Sequence, residues 1–286
     1  MKKILSLLLV LVIGFIVYYF YQGGSSFTEL LPTQLNSIAE LLPKLPEAAT
    51  KPVQPSQAAI GEIKKPETAG DTQIAIAYEK SQNKDTIGWL RIPGSKVNHS
   101  VLQSNNNAYY LNHDERRNYS VYGSLYADYE CSTGTRDEMS VNTIIYGHSD
   151  LKDNPEGPMF SQLFRFEGEA YARSTPYLYF STAKEEMVWE VFAVSYTDTS
   201  MEYVYPFISS EELMTLVKEA KDRSIYNYSV EVGPQDKILT LSTCTVKYGT
   251  SKEQRLIVMA RLLPAETQLK EQAQLTPNPN PKQPNL

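Results

Sequence analysis

The chain has 286 residues, of which 42% are hydrophobic and 21% charged, and this globular composition excludes a fibrous, collagenous or wholly disordered protein. The net charge is −6, and Lys and Arg form no block beyond Lys2 and Lys3, so the sequence offers no basic surface for nucleic acid. Two cysteines, Cys131 and Cys244, allow at most one disulfide, which excludes a disulfide-stapled secreted scaffold.

The N-terminus predicts a membrane anchor. Residues 4–21 are uncharged, follow Lys2 and Lys3, and end in a cluster of aromatic side chains. A membrane-spanning helix needs about 17–25 apolar residues, and aromatic side chains often mark its interface. We therefore expect residues 1–3 in the cytoplasm, a single-pass transmembrane anchor over residues 4–21, and the bulk of the chain outside the cell. Small residues at 23–26 leave a cleaved signal peptide as the alternative.

The prolines predict two segments outside the folded domain. Eleven of the 17 lie within residues 32–66 or from residue 264 onward. Because proline fixes φ and favours extended conformations, residues 22–71 are predicted to form a Pro-rich extracellular stalk. The low-complexity end of the chain, TPNPNPKQPNL, predicts a disordered tail over residues 266–286. Residues 72–265 then form one domain.

This central region is predicted to be mostly β with flanking helices. Residues 72–83 fit a helix, and residues 209–224 fit a second, longer one with acidic residues in its first turn and basic residues in its last. Eight short runs rich in β-branched and aromatic residues are separated by turn formers. They cover residues 86–92, 97–103, 123–127, 143–146, 177–180, 187–197, 237–242 and 256–262. The pattern is typical of a β-barrel or sandwich.

Three residues at predicted strand ends carry possible chemistry. His148 follows the apolar run at 143–146, and Cys244 follows the run at 237–242. Arg255 opens the next strand after a short loop, so the two strands form an antiparallel pair that sets Cys244 beside Arg255 at one rim. Such a set suits attack by a thiolate, with proton exchange by imidazole and stabilisation by guanidinium. Taken alone, a cysteine at a strand end is more often a small apolar filler, so the residues leave both interpretations open.

Several motifs resemble sortases, the membrane-anchored cysteine transpeptidases of Gram-positive bacteria. They are Tyr-Gly-His at 146–148, Leu-Ser-Thr-Cys at 241–244 and the Arg at 255, in that order. The resemblance covers nearly all of residues 72–263. It is closest to class B, because of the N-terminal helix, GWLRIPG at 88–94, NAYYL at 107–111 and the long helix between two late strands. It implies a closed eight-stranded sortase β-barrel with flanking helices.

The resemblance also implies a reaction. Cys244 would attack the carbonyl of a Thr in a C-terminal sorting motif, His148 would protonate the leaving amine, and Arg255 would hold the substrate or the oxyanion. The thioacyl enzyme would then be resolved by an amine, either a pilin lysine or a cell-wall peptidoglycan cross-bridge. The expected partners are therefore surface proteins or pilins that bear sorting motifs, together with that amine acceptor.

Further residues match the class B substrate groove by position. They are Asn107, Leu111, Thr199, Tyr203 and Ser242, and ordinary packing or surface exposure is the alternative for each. No family role carries over to the second cysteine, at position 131, which we interpret as a free thiol without catalytic importance. The three histidines and two cysteines lack the paired spacing of zinc sites, so no metal or cofactor is predicted.

Two other functions remain as alternatives. A hydrolytic cysteine protease would use the same thiolate and imidazole with water as acceptor, and a catalytically silent surface-binding module would use neither. Within the family, the loop after Cys244, TVKYGT at 245–250, departs from the acidic loop of wall-anchoring members. We therefore favour pilus polymerisation over wall anchoring, and we assign no acid as a fourth catalytic residue.

Overall fold

The structure is a computed structural model that describes residues 69–249 and 251–286. The predicted cytoplasmic terminus, the membrane anchor at residues 4–21 and the stalk up to residue 68 lie outside the described residues. Over the part of the chain that is described, no helix is long and apolar enough to cross a membrane.

In the described ranges, ten strands and three α-helices make up the regular structure. The strands are β1 (Thr86–Arg91), β2 (Asn98–Leu102), β3 (Tyr126–Ala127), β4 (Asn142–Tyr146), β5 (Tyr177–Thr182), β6 (Val188–Thr197), β7 (Tyr226–Tyr228), β8 (Ile238–Cys244), β9 (Arg255–Leu262) and β10 (Leu275–Pro277). The helices are α1 (Ala69–Gln82), α2 (Glu169–Ser174) and α3 (Ser210–Arg223), with 3₁₀ segments at Tyr109–Leu111 and Met159–Glu167.

Eight of these strands close into a mixed barrel in the order β1-β2-β3-β4-β8-β9-β6-β5, and β5 returns to pair with β1. The β2–β3 and β4–β8 pairs are parallel, and the other neighbours are antiparallel. Strands β7 and β10 form a separate two-stranded ribbon. Closure leaves the barrel without free strand edges, and this fixes which strand ends share a rim.

Alternation along the strands fills the core. Ile145, Leu239 and Leu241 are fully buried and belong to the main hydrophobic cluster, together with Phe160 and Trp189. Residues one position along in β4 and β8 have the opposite facing, because side chains alternate across a sheet with a period of two. One face of the β4–β8 pair therefore supplies Ile145, Leu239 and Leu241 to the core, and the other face carries buried apolar residues, Ile144 and Ile238, together with polar ones such as Asn142 and Ser242.

The observed fold confirms the predicted class, a closed eight-stranded barrel that is mostly β with flanking helices. Each of the eight predicted runs corresponds to one barrel strand. Helix α1 begins three residues before the predicted domain boundary at residue 72. At the start of α3, the Ser209 side chain accepts from the Glu212 backbone N–H, and the Glu212 carboxylate accepts from the Ser209 backbone N–H. This capping box explains why the helix begins there.

The predicted disorder of residues 266–286 is wrong, because this segment is hydrogen-bonded along the domain. Strand β10 pairs with β7, and beyond it Lys282 N donates to Asp222 O at 2.9 Å. The Lys282 ammonium contacts the Glu219 carboxylate at 2.6 Å, and Asn285 N donates to the buried Asp198 carboxylate at 2.8 Å. The prolines that suggested disorder instead hold the segment extended, which lowers the entropy lost when it packs.

The hydrogen bonds of the C-terminal segment predict a measurable contribution to stability. Removal of residues 278–286 deletes several of them, each worth about 1 kcal/mol, so the free energy of unfolding should fall by at least about 2 kcal/mol. For a domain of this size, thermal unfolding should then occur roughly 4–8 °C lower. Removal of the half-exposed Leu286 alone is the control. An unchanged melting temperature for the longer deletion would show that the segment contributes nothing to the fold.

Candidate active site

The parallel register of β4 and β8 sets the position of His148. Tyr146 pairs with Ser242, and the contact continues past the end of β4, where Gly147 N donates to Ser242 O at 3.3 Å. Beyond this pair the two chains stay together, because Ser149 Oγ donates to Cys244 O at 2.7 Å. The chain at His148 therefore lies beside the end of β8, where Cys244 is.

The antiparallel register of β8 and β9 adds the guanidinium. Cys244 pairs with Arg255, as the short loop between the strands predicts. On the other side of β9, Arg255 pairs with Thr197, the last residue of β6. One rim of the barrel therefore carries Thr197, Cys244 and Arg255, next to the chain at His148.

Gly147 allows His148 to come so close to the barrel. A Cβ at this position would lie 2.6 Å from Leu125 Cδ2 and 2.7 Å from Phe160 Cδ2, which is closer than packed carbon atoms approach. The His148 carbonyl in turn accepts from Phe160 N at 2.9 Å. Packing thus requires glycine at position 147, since only a residue without a side chain fits between the strand and Phe160.

The two cysteines lie in opposite environments, and neither is in a disulfide. Cys244 is exposed at the rim. Cys131 is buried, and its sulfur accepts from Ile144 N at 3.4 Å. Burial raises the pKa of the Cys131 thiol to about 12, so this cysteine stays protonated at neutral pH.

His148 is held through one ring nitrogen. Its Nε2 lies 2.8 Å from the Leu111 carbonyl oxygen. Because a carbonyl can only accept, this hydrogen bond requires the proton on Nε2 and leaves Nδ1 as the nitrogen that gains or loses a proton. The imidazole is partly exposed. It is thus oriented by the backbone rather than by a carboxylate.

Arg255 is oriented by its own loop. Its Nη1 donates to Lys252 O at 2.7 Å and to Gln254 O at 2.9 Å. These backbone contacts hold the guanidinium plane at the rim. In the described residues they use Nη1 alone, so the rest of the fork is available to an anionic or carbonyl group.

Two of the predicted groove residues, Tyr203 and Ser242, are buried at the β4–β8 pair. The Tyr203 hydroxyl and the Ser242 hydroxyl are 3.0 Å apart, and Asn142 Nδ2 donates to the Tyr203 carbonyl at 2.7 Å. Two of the predicted groove residues are therefore in direct contact. The segment after β6 is fixed over this strand pair by Asn142, which is fully buried.

The buried carboxylate of Asp128 binds a third predicted groove residue, Asn107. Asn107 Nδ2 donates to Asp128 Oδ2 at 2.7 Å, and the Tyr146 hydroxyl donates to the same oxygen at 2.9 Å. Asn107 Oδ1 accepts from Tyr129 N at 2.9 Å, so both ends of its amide are fixed. Burial, with a further contribution from Asp128, raises the pKa of Tyr146 above its usual range.

The two remaining predicted groove residues lie at the margins. Leu111 ends a 3₁₀ turn, and it is 39% exposed and reaches the site through its carbonyl bond to His148. Thr199 lies on an exposed turn just beyond Thr197. Of the five predicted groove residues, the structure thus brings Tyr203 and Ser242 together, sets Asn107 beside Tyr146, and leaves Thr199 at the edge.

Two buried tyrosines report the electrostatics of the rim. Burial raises the pKa of Tyr126 above its usual range, Cys244 and Asp128 raise it further, and Arg255 opposes them. Burial also raises the pKa of Tyr203, where Arg255 again lowers it and Cys244 raises it. Both phenols are therefore protonated hydrogen-bond donors within electrostatic reach of the thiol and the guanidinium.

Sequence reasoning missed the polar residues that support this site. Tyr126 lies in the run 123–127, identified only as a strand, and Asp128 follows it, so nothing in the spacing signals the hydrogen bond from Asn107 to Asp128. Tyr146 stands in the Tyr-Gly-His motif, and this proximity to His148 was the available signal. In the described ranges, no group of three or more His, Cys, Asp or Glu side chains is arranged to hold a metal ion.

Comparisons with known proteins show the family of this chain. A family model for the sortase domain matches residues 90–263. Sortase B of Listeria monocytogenes is 31% identical over 195 residues, which cover 68% of this chain and 76% of that protein. Sortase B of Staphylococcus aureus is 30% identical over 182 residues, covering 63% and 71%. The solved Staphylococcus aureus sortase B–substrate complex matches with a TM-score of 0.59 at 26% identity, covering 68% of this chain and 87% of that chain.

The chain therefore belongs to the sortase family of cysteine transpeptidases. Its relatives and structural neighbours are class B sortases, so the predicted family, class and type of enzyme are confirmed.

The contrast between the two cysteines predicts selective alkylation. In the folded protein at pH 7–8, iodoacetamide should label Cys244 at least about 100-fold faster than Cys131, because one thiol is exposed and the other is buried and protonated. Peptide mapping by mass spectrometry measures both rates. In denaturant the two rates should converge, which is the control. Similar rates in the folded protein would contradict the assigned environments.

Proposed function

We propose that the chain cleaves a C-terminal sorting motif of surface proteins after its Thr residue and transfers the acyl group to an amine. In this proposal Cys244 is the nucleophile, His148 exchanges protons, and Arg255 holds the substrate or the oxyanion. The observation that supports the proposal is the pairing of the exposed Cys244 with Arg255 across β8 and β9, next to the chain that carries His148.

The first half-reaction forms a thioester. The Cys244 thiolate attacks the carbonyl carbon of the Thr, and the negative charge that develops on the oxygen is stabilised by the free part of the Arg255 fork. The C–N bond then breaks, and the leaving amine takes a proton from the His148 imidazolium. Because Nε2 is bonded to Leu111 O, Nδ1 is the nitrogen we assign to this transfer.

The second half-reaction reverses these steps. An acceptor amine attacks the thioester carbonyl and loses a proton to the neutral imidazole of His148. The C–S bond breaks, and Cys244 leaves as a thiolate. The balance of the two steps is one amide bond broken and one formed, with no oxidant, metal or cofactor consumed.

The sorting motif would lie along the face of β4 and β8 that carries Ser242. In this proposal the groove residues are Asn107, Leu111, Thr199, Tyr203 and Ser242. The contact between Tyr203 and Ser242 and the fixed amide of Asn107 support it, since preorganised polar groups bind at a lower entropic cost. A sortase B with bound substrate among the structural neighbours lends it further support.

The proposal also includes the acceptor amine and the location of the enzyme in the cell. We propose a pilin lysine as acceptor amine, with a cell-wall cross-bridge as the alternative, because the loop that follows Cys244 lacks acidic residues at 245–250. The predicted anchor at residues 4–21 would hold the enzyme in the cell membrane, with its catalytic domain outside.

Formation of a thioester tests the proposed function. The purified full chain is incubated with peptides that carry NPxTx-like or LPxTG-like motifs, and intact mass is recorded before and after an amine is added. We expect an acyl adduct on Cys244 that the amine removes. Cys244→Ala should abolish the adduct, whereas Cys131→Ala, the matched control at the buried cysteine, should keep it.

Other outcomes would distinguish the alternatives. An adduct that water resolves as fast as any amine would indicate a hydrolytic protease. A Cys244 that is neither acylated by any motif nor alkylated at neutral pH would indicate a silent binding module, and would contradict the proposed function.

Arg255→Lys tests the role of the guanidinium. Loss of the planar fork should lower the rate of thioester formation roughly 100-fold, because a point charge does not replace two directed donors. Arg261→Lys is the matched control, since Arg261 lies at the other end of β9 and its Nη2 contacts Glu190 at 3.1 Å. Near wild-type turnover in Arg255→Lys would contradict the assigned role.

A further inference from the structure

Two loops continue from the strands that carry the thiol and the imidazole. The His148 loop, residues 147–158, follows β4, and the Cys244 loop, residues 245–249, follows β8. They are joined near the strand ends, where Thr243 Oγ1 donates to Gly147 O at 2.7 Å and Ser149 Oγ donates to Cys244 O at 2.7 Å. The parallel pairing of β4 and β8 is thus continued by side-chain hydrogen bonds after the ladder ends.

Asp153 makes the outermost of these connections. Its Oδ2 accepts from Thr245 Oγ1 at 2.6 Å and from Val246 N at 3.0 Å, and its Oδ1 lies 3.2 Å from the same Val246 N. Both carboxylate oxygens are therefore directed at the two residues that follow Cys244. Thr245 is buried, so its hydroxyl needs this partner.

The backbone of Asp153 is unusual. Its φ is +52°, in the left-handed region that residues other than Gly, Asn and Asp seldom adopt. Such outliers persist where the surrounding contacts hold them, and they cluster at functional sites. The conformation is the one that presents the carboxylate to the Cys244 loop.

The rest of the His148 loop holds Asp153 in place. Asp150 Oδ1 accepts from Lys152 N at 3.1 Å and from Asn154 N at 2.8 Å, the two neighbours of Asp153. Asp150 N donates to Ser161 Oγ at 2.8 Å, within the 3₁₀ segment that packs under the barrel. The carboxylate of Asp153 is therefore presented from a folded loop.

We propose that Asp153 is a positioning residue of the transpeptidase, which fixes the Cys244 loop to the His148 loop and so sets the approach of thiol and imidazole. It touches no reacting atom. The inference rests on the proposed function, because it concerns the geometry between Cys244 and His148. Its carboxylate contacts the two residues that follow Cys244, in a loop with no acidic residue of its own at 245–250.

The proposal predicts a loss in kcat with little change in KM. Small errors in the placement of reacting groups slow the chemical step strongly, whereas the groove around Asn107, Tyr203 and Ser242 lies apart from Asp153 and should still bind substrate. A purely structural role would instead lower the amount of folded enzyme, or change kcat and KM together.

Four single variants of the full chain and the double variant Asp153→Gly/Thr245→Val test it. Thioester formation and amine transfer are measured on a sorting peptide that acylates the wild type. Asp153→Gly removes the carboxylate but tolerates the left-handed backbone, so strain does not confuse the result. Asp153→Asn keeps one acceptor oxygen and the backbone conformation. Thr245→Val removes one bond from the other side. Asp236→Asn, in the turn at the opposite end of β8, is the matched control.

We expect Asp153→Gly to lower kcat at least 10-fold with KM within twofold, Asp153→Asn to restore part of the loss, and the control to match wild type. Thr245→Val should add little to Asp153→Gly, because their shared bond is already gone. Wild-type kcat in a folded Asp153→Gly, or no rescue by Asn, would overturn the proposal. If the wild type itself forms no thioester with any peptide, the proposed function fails instead.

Discussion

The position of β8 between two strands of opposite sense is the constraint on which the site depends. Parallel pairing with β4 brings the chain at His148 to the end of β8, and antiparallel pairing with β9 sets Arg255 beside Cys244. A slip of one residue in either pair would turn one of these side chains to the other face. The buried Leu239 and Leu241 oppose such a slip, because it would move them out of the core. The hydrophobic pattern of β8 thus determines the geometry of the chemistry.

A second level of order is polar and lies outside the strand ladders. Asn142 fixes the segment after β6 over the face of β4, and Asp128 fixes the amide of Asn107. Asp153 joins the loops beyond the strand ends. Each of these side chains has hydrogen-bond partners, so it is held in place without leaving buried polar atoms unpaired. The exposed thiol of Cys244 consequently lies at a rim whose loops are fixed by several side-chain hydrogen bonds.

How well the sequence predicted each contact of the site depends on how many residues separate the two partners along the chain. Cys244 and Arg255 are joined by one short loop, so turn length and strand pattern were enough to pair them. His148 precedes Cys244 by nearly a hundred residues, so strand pattern alone left the role of this pair open, and the family resemblance was needed to favour the catalytic interpretation. Asp128 and Asp153 act through loop conformations that no periodicity encodes. The prediction of a disordered C-terminal tail is wrong, because a proline-rich composition does not indicate that the segment packs along α3.

The most direct test of the account is a cross-link at the rim. Neighbouring strands bring level Cα atoms to about 5 Å, within the range that a disulfide spans. The test is His148→Cys in a Cys131→Ala background, with mild oxidation followed by alkylation and intact mass. The control is Leu151→Cys, whose side chain is 87% exposed in the same loop. The account predicts that position 148 forms a disulfide with Cys244 and that the control keeps two free thiols. Two alkylatable thiols in the His148→Cys variant would contradict the register on which the site depends.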